Sequence, residues 1–296
     1  MSVWELLAEP MSYDFMLRAL AATVVAAVTC AVLSCWLVLI GWSLMGDAVA
    51  HAVLPGVVLA YLLGVPFALG AVVFGILAVA LIGGLRETSL VKEDAAIGIV
   101  FTTLFALGLV LVSVVPSQTD LNHIVFGNLL GISPADLAQI VLLGALVVIA
   151  LVLKRRDFTL YAFDPTHAHA LGLSPRLLGA ALLGLLALTA VVALQTVGVI
   201  LVVAMLIIPG ATARMLTDRF SRMLFIAPAV STGCAVFGLY TSYYLDTASG
   251  PMVVLAQGAA FTLTYLVAPR HGLLTRLRRN RRRRYAREPA EPASHR

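Results

Sequence analysis

Charge is scarce in this sequence: Asp, Glu, Lys and Arg make up 12% of its 296 residues, whereas hydrophobic residues make up 61%. A soluble globular domain carries about 25% charged residues, and the mean hydropathy of +1.00 lies well outside that class. Cysteine is scarce too. Cys30, Cys35 and Cys234 sit inside apolar runs and none belongs to a CxxC pair. No disulfide framework or soft thiolate metal site is therefore expected, and all three read as small buried hydrophobes. No GxxxxGK[ST] segment occurs, so the chain forms no P-loop and hydrolyses no ATP by itself, and the lack of HExxH removes the simplest intramembrane metalloprotease. No basic n-region with a cleavage site opens the chain, which argues against a removable signal peptide. Nor does any period of roughly 20–50 residues recur, and nothing resembles a second, soluble domain.

What the chain has in abundance is apolar runs of roughly 18–25 residues, each long enough to cross about 30 Å of hydrocarbon as a helix. Barrel strands would be shorter and would alternate, so the expected fold is an all-α polytopic membrane protein, a bundle of eight or nine transmembrane helices. Hydropathy and breakers together predict spans at 15–40, 47–64, 66–84, 95–115, 134–153, 176–194, 197–216, 223–245 and 251–268. Arg86/Lys92, Lys154–Arg156 and Arg214/Arg219/Arg222 mark cytosolic links, while 116–122 and 246–250 carry neither Lys nor Arg. The two sets alternate as a simple weave requires. Nine full spans put the N-terminus outside; a broken or re-entrant 47–64 or 197–216 leaves eight and puts it inside. Residues 11–270 thus read as one transmembrane domain. Ten of the 20 Lys and Arg residues lie between Arg270 and Arg296, including the run Arg281–Arg284. Beside a final apolar span, 271–296 reads as a disordered cytosolic tail that meets anionic membrane lipid, with no nucleic acid as partner.

Between Arg18 and Arg86 the ionisable Asp, Glu, Lys, Arg and His residues are Asp47 and His51 alone. An ionisable group at this depth costs about 2.5–3.5 kcal/mol on insertion scales, so the pair needs a compensating partner or a function. Their i, i+4 spacing puts both side chains on one helical face, with Cβ atoms roughly 5–6 Å apart, where a carboxylate and an imidazole hold one cation together. Pro55 follows at once and removes the hydrogen bond that the His51 carbonyl would accept, so Pro55 and Gly56 predict a helix break beside the pair. Two ligands are too few for a divalent transition metal, which takes at least about four. A two-fold dimer apposing this helix with its copy supplies two carboxylates and two imidazoles, a set suited to Mn²⁺, Fe²⁺ or Zn²⁺. The plainer reading, without metal, is an intrahelical Asp–His pair or a pair that merely packs two helices. His123, in an external link, is a weaker candidate for a metal entry point, and His167 and His169 form an HxH pair expected to face solvent.

The segment "GWSLMGDAVAHAVLPGVVLAYLLG" (41–64) resembles the membrane permease subunits of bacterial ATP-binding-cassette importers for manganese, zinc and iron. So, in order, do "VKEDAAIGIVFTTLFALGLVL" (91–111), "LNHIVFGNLLGIS" (121–133), "FDPTHAHALGLS" (163–174) and "QTVGVILVVAMLIIPGATA" (195–213). The resemblance implies that Asp47 and His51 of both copies of a homodimer ligate the transported metal. It further implies that Asp164, Pro165, Ala168, Leu171 and Gly172 belong to a cytosolic coupling segment, about 157–175, that docks on the ATPase. Local chemistry agrees with a short rigid helix there, capped by Asp164-Pro165 and ended by Gly172. The blocks resemble the manganese or iron members more than the zinc members; Ala50 departs from the Ser that many relatives place before the histidine.

The expectation is a non-enzymatic, multi-pass permease subunit of the bacterial plasma membrane that imports Mn²⁺, or Fe²⁺, by alternating access around the Asp/His site. Its expected partners are a second copy of itself, a cytosolic ATP-binding-cassette ATPase dimer that binds the ATP, and an extracytoplasmic metal-binding protein. No permanently bound cofactor is expected. The alternatives are a zinc-specific member of the same importers, an ion-coupled secondary transporter using the Asp–His pair as a relay, and a membrane scaffold in which the pair only joins helices.

Overall fold

Punctuation in the sequence sets where each helix starts and stops. The computed structural model describes residues 9–114, 129, 131–268, 272, 273 and 275, and among them every regular element is helical. Helix α1 (Asp14–Ile40) has an acid in its first turn, favourable beside unpaired N–H groups, and stops at Gly41, whose φ of +86° suits a residue without Cβ. Trp42 leads into α2 (Ser43–Leu63), and Pro66 into α3 (Phe67–Thr88); α4 (Glu93–Val114) follows the link that holds Lys92. Helix α5 (Pro134–Leu153) opens with a capping box. The Asp136 N–H donates to Ser133 Oγ (3.1 Å), the Ser133 N–H donates to the Asp136 carboxylate (3.3 Å), and Pro134 takes the first helical position. Two short helices, α6 (Arg155–Phe163) and α7 (Pro165–Ala170), fill the long link before α8 (Pro175–Val197). Gly198 separates α8 from α9 (Val199–Leu216); α10 (Phe220–Leu245) and α11 (Ser249–Val267) complete the described chain.

Eight of these helices are long and apolar enough to span a membrane, and each coincides with a predicted span. The ninth predicted span, α9, is shorter: its apolar stretch runs from Leu201 to Leu216, about 24 Å at 1.5 Å per residue. Its ends still lie at opposite faces of the bundle. Val197 and Leu201 sit against Gly250 at the α10–α11 link, whereas Ala213 clusters with Cys35 and Met223 at the other end. Helix α1 runs between the same two faces, with Met16 beside Leu239 and Tyr243 at one end and Trp36 edge-on to Phe158 and Phe220 at the other. The start of α1 thus shares a face with Asp246–Gly250, opposite the basic links, as the nine-crossing weave requires.

Helices α1, α2 and α8 form the centre. In each, 67% of the most apolar window is buried inside the bundle, against 17% to 33% in α3, α4, α5, α10 and α11, which make the rim. Since lipid is as apolar as Leu, burial of hydrocarbon hardly drives these helices together, and close backbone packing and interhelical hydrogen bonds carry the association. Gly56 of α2 and Gly70 of α3 meet so closely that a Cβ on either would collide with the other's carbonyl. Between α1 and α9, Ser34 Oγ donates to the Ile207 carbonyl (3.3 Å) and accepts from the Gly210 N–H (3.0 Å), beside the internal Pro209. Between α10 and α11, Gln257 Nε2 donates to Ser231 Oγ (3.0 Å). Cys30 and Cys35 are fully buried and Cys234 partly so, all free, in line with their reading as small hydrophobes.

Candidate metal centre

Helix α2 begins at Ser43, four residues before the predicted start, so Asp47 and His51 lie within the helix and not at its entry. They stand roughly 6 and 12 Å along the axis from its first residue. That end is the basic face, because Trp42 packs edge-on against Tyr161 of α6, with ring centroids 6.1 Å apart. The i, i+4 spacing does what it predicts. His51 Nδ1 lies 3.0 Å from Asp47 Oδ1 and 3.1 Å from the Asp47 carbonyl oxygen. An N–H at Nδ1 faces both acceptors, which leaves Nε2 outside the pair. The carboxylate also keeps its second oxygen. Each chain therefore offers one ring nitrogen and one carboxylate oxygen to a cation.

The His51 side chain is 12% exposed and that of Asp47 32%, an open polar strip on a helix whose other faces are largely buried. Two residues that the sequence did not single out complete the surroundings. Phe101 and Phe105 of α4 present themselves edge-to-face to the imidazole, at 5.0 and 5.1 Å with interplanar angles of 77° and 80°. They hold the plane of the ring and wall off one of its sides with hydrocarbon. Their i, i+4 spacing was the available signal, and it equally describes a rim helix facing lipid. Beyond the pair, α2 continues through Pro55 as one helix, and Gly56 admits the backbone of α3. Neighbouring helices and close packing let membrane helices tolerate an internal proline.

Among the described residues no group of three or more His, Cys, Asp or Glu side chains comes together. Within one copy the Asp47–His51 pair stands without a third such side chain, fewer than the four or so that a divalent transition metal takes. His123 lies outside the described residues. His167 and His169 are exposed on either side of the buried Ala168, so the HxH pair faces solvent as expected.

The segment 157–175 is built as its residues suggest. Asp164 Oδ1 accepts the His167 N–H (2.9 Å), Pro165 is the first residue of α7, and Gly172, with φ +81°, turns the chain after it. The Leu173 N–H donates to the Ala168 carbonyl (3.1 Å) to close the end. Ala168 anchors α7 against the protein while Leu171 stands 61% exposed.

The model of the ABC 3 transport family matches residues 12–268. The chain is 48% identical over 278 residues to the manganese transport system membrane protein MntB of Synechocystis sp., covering 94% of this chain and 91% of that one. It is 49% identical over 261 residues to a probable iron transport system membrane protein of Haemophilus influenzae, covering 88% and 96% of the two chains. Among solved structures it resembles PsaBC from Streptococcus pneumoniae in complex with Fab, with a TM-score of 0.88 and 35% identity over 94% of this chain and 100% of that chain.

Proposed function

Since this chain belongs to the ABC 3 transport family, we propose that it is the membrane permease subunit of an ATP-driven importer for a divalent transition metal, Mn²⁺ or Fe²⁺. The observation that carries the reading is the Asp47–His51 pair, hydrogen-bonded to each other, partly open, and on an inner helix of a membrane bundle. A buried ionisable pair of this kind is costly unless it serves a charge. Relatives named for manganese and iron transport support the metal class. Nitrogen and carboxylate oxygen without thiolate suit these ions, with Zn²⁺ as the alternative cargo of the same ligands.

The site is completed by a second copy of the chain. Two Asp47 carboxylates and two His51 Nε2 atoms replace water around the ion, and Phe101 and Phe105 keep each imidazole aimed at it. An extracytoplasmic metal-binding protein delivers the ion. A partner ATPase dimer binds and hydrolyses ATP and moves α7, whose Asp164 cap, Pro165 start, buried Ala168, exposed Leu171 and Gly172 turn make a short rigid docking lever. The bundle then opens alternately to each side. The Arg-rich tail, 271–296, lies outside the described residues apart from 272, 273 and 275.

The test is uptake of radioactive Mn²⁺, with Fe²⁺ and Zn²⁺ as competitors, in cells whose sole importer contains this chain. Asp47→Ala and His51→Ala should each abolish uptake while leaving the amount of assembled transporter unchanged. Normal uptake by both variants would discard the site. Uptake by vesicles holding this chain without an ATPase would instead establish an ion-coupled carrier.

A further inference from the structure

A cavity of about 460 Å³ opens between α6 and the first turns of α10, away from the Asp47–His51 site. Its polar lining consists of Arg155, Arg156 and Thr159 from α6 and Ser221 from α10. Neither guanidinium has an ion pair among the described residues, and Asp157, the nearest carboxylate in sequence, is taken by Lys154 at 3.3 Å. Neither hydroxyl is spent either. Thr23, Thr29, Thr189 and Thr212, within the spans, donate to carbonyls of their own helices, whereas Thr159 and Ser221 make no hydrogen bond among the described residues. The rest of the lining is apolar, chiefly Leu160, Phe163 and Leu224, and no acidic residue joins it. Phe220 forms part of the wall and is held from behind by the fully buried Trp36, with ring centroids 5.0 Å apart, so the cavity has a fixed floor.

Its place in the fold decides what fits. Helix α6 starts one residue after the α5 span, and Ser221 and Leu224 lie in the opening turns of the α10 span. The cavity therefore sits at the basic, cytoplasmic boundary of the membrane, and Phe163 in its lining is 65% exposed. We infer that it holds an anionic phospholipid of the cytoplasmic leaflet. The phosphate takes charge-assisted hydrogen bonds from Arg155 and Arg156, the Thr159 and Ser221 hydroxyls donate to the remaining headgroup oxygens, and the first acyl carbons lie on Leu160, Phe163 and Leu224. The site is independent of the metal reading and ties the base of α6, which leads into α7, to the lipid composition around it.

Native mass spectrometry of the full-length chain in detergent, titrated with phosphatidylglycerol or with phosphatidylcholine of the same acyl chains, tests this. Wild type should retain one phosphatidylglycerol in preference to phosphatidylcholine. The double variant Arg155→Gln/Arg156→Gln should retain it on the order of 30-fold less well, from about 1 kcal/mol per basic residue at a lipid surface. Thr159→Val/Ser221→Ala, which keeps both charges, should show a smaller loss of the same preference. Arg222→Gln, on the same face but outside the cavity, should change little, and excess inorganic phosphate should not displace the lipid. Equal retention of the two lipids, an Arg222→Gln effect as large as the double variant's, or displacement by inorganic phosphate would overturn the proposal. So would a double variant that keeps phosphatidylglycerol yet no longer captures the ATPase, which would make the cavity a protein-docking surface.

Discussion

A single methyl group added at Gly56 should loosen the inner bundle. The new Cβ would meet the Gly70 carbonyl of α3 and, at 2.9 Å, Cδ2 of Phe74. Ala is worth about 1 kcal/mol over Gly inside a helix, whereas overpacking costs about 1–3 kcal/mol where side chains yield. Here the main obstacle is backbone on a neighbouring helix, which no rotamer change relieves. The upper end of the range therefore applies, and the net loss is about 2 kcal/mol, or roughly 4–8 °C in Tm for a chain of this size. The assay is thermal unfolding of the purified chain in detergent, read by a thiol-reactive dye, because Cys30 and Cys35 are fully buried until the bundle opens. Gly84→Ala and Gly233→Ala are the controls. Nothing lies within 4 Å of a Cβ at either position, so both should hold or gain up to about 1 kcal/mol. Because Gly56 lies five residues beyond His51, separation of α2 from α3 should also lower metal uptake. If Gly56→Ala melts at or above wild type while the controls behave as expected, α2 and α3 do not meet backbone to backbone.

Ser34→Ala removes the bridge to Ile207 and Gly210 and should cost about 1 kcal/mol in the same assay, with Ser34→Thr tested beside it; an unchanged melting point would show that the bridge contributes nothing. Asp164→Ala deletes the cap on α7, worth about 0.5–2 kcal/mol locally, so amide exchange at His167 should accelerate and Asp164→Ser should restore it; equal exchange in all three would refute the capping role. Phe101→Leu keeps hydrocarbon beside His51 but gives up the ring edge, about 0.5–1.5 kcal/mol, so metal should bind about 2- to 10-fold more weakly; equilibrium dialysis of Mn²⁺ against the purified protein measures it, and unchanged binding would remove Phe101 from the proposed site. A charged maleimide should leave Cys30 and Cys35 unlabelled in intact vesicles and label both in dodecyl sulfate; labelling in vesicles would place a water path through α1.

The membrane class, the positions of the spans and the Asp–His pair were legible in the chain because each rests on local chemistry. Twenty apolar residues in a row cross a bilayer whatever surrounds them, and residues four apart on a helix meet whatever it packs against. The capped α7 was legible for the same reason, since Asp164, Pro165 and Gly172 act on their own neighbours. The start of α2 at Ser43 was less so. Gly41 and Trp42 mark the turn, but "SLMG" carries no capping residue that makes a side-chain bond and no charge to announce a helix.

What tertiary structure alone decided concerns contacts between segments far apart in sequence. Hydropathy does not sort inner from rim helices: α1 and α4 are equally apolar, yet α1 lies at the centre and α4 at the rim, since lipid and protein are equally apolar and either helix satisfies its backbone internally. Only packing brings Phe101 and Phe105 to the edges of His51, Gly70 to Gly56, and Phe220 to Trp36 beside the α6–α10 cavity. Sequence by itself determined that a carboxylate and an imidazole would stand together within a membrane helix. The fold decided what shields the imidazole and how closely the next backbone approaches, because each of these depends on a surface supplied by another helix.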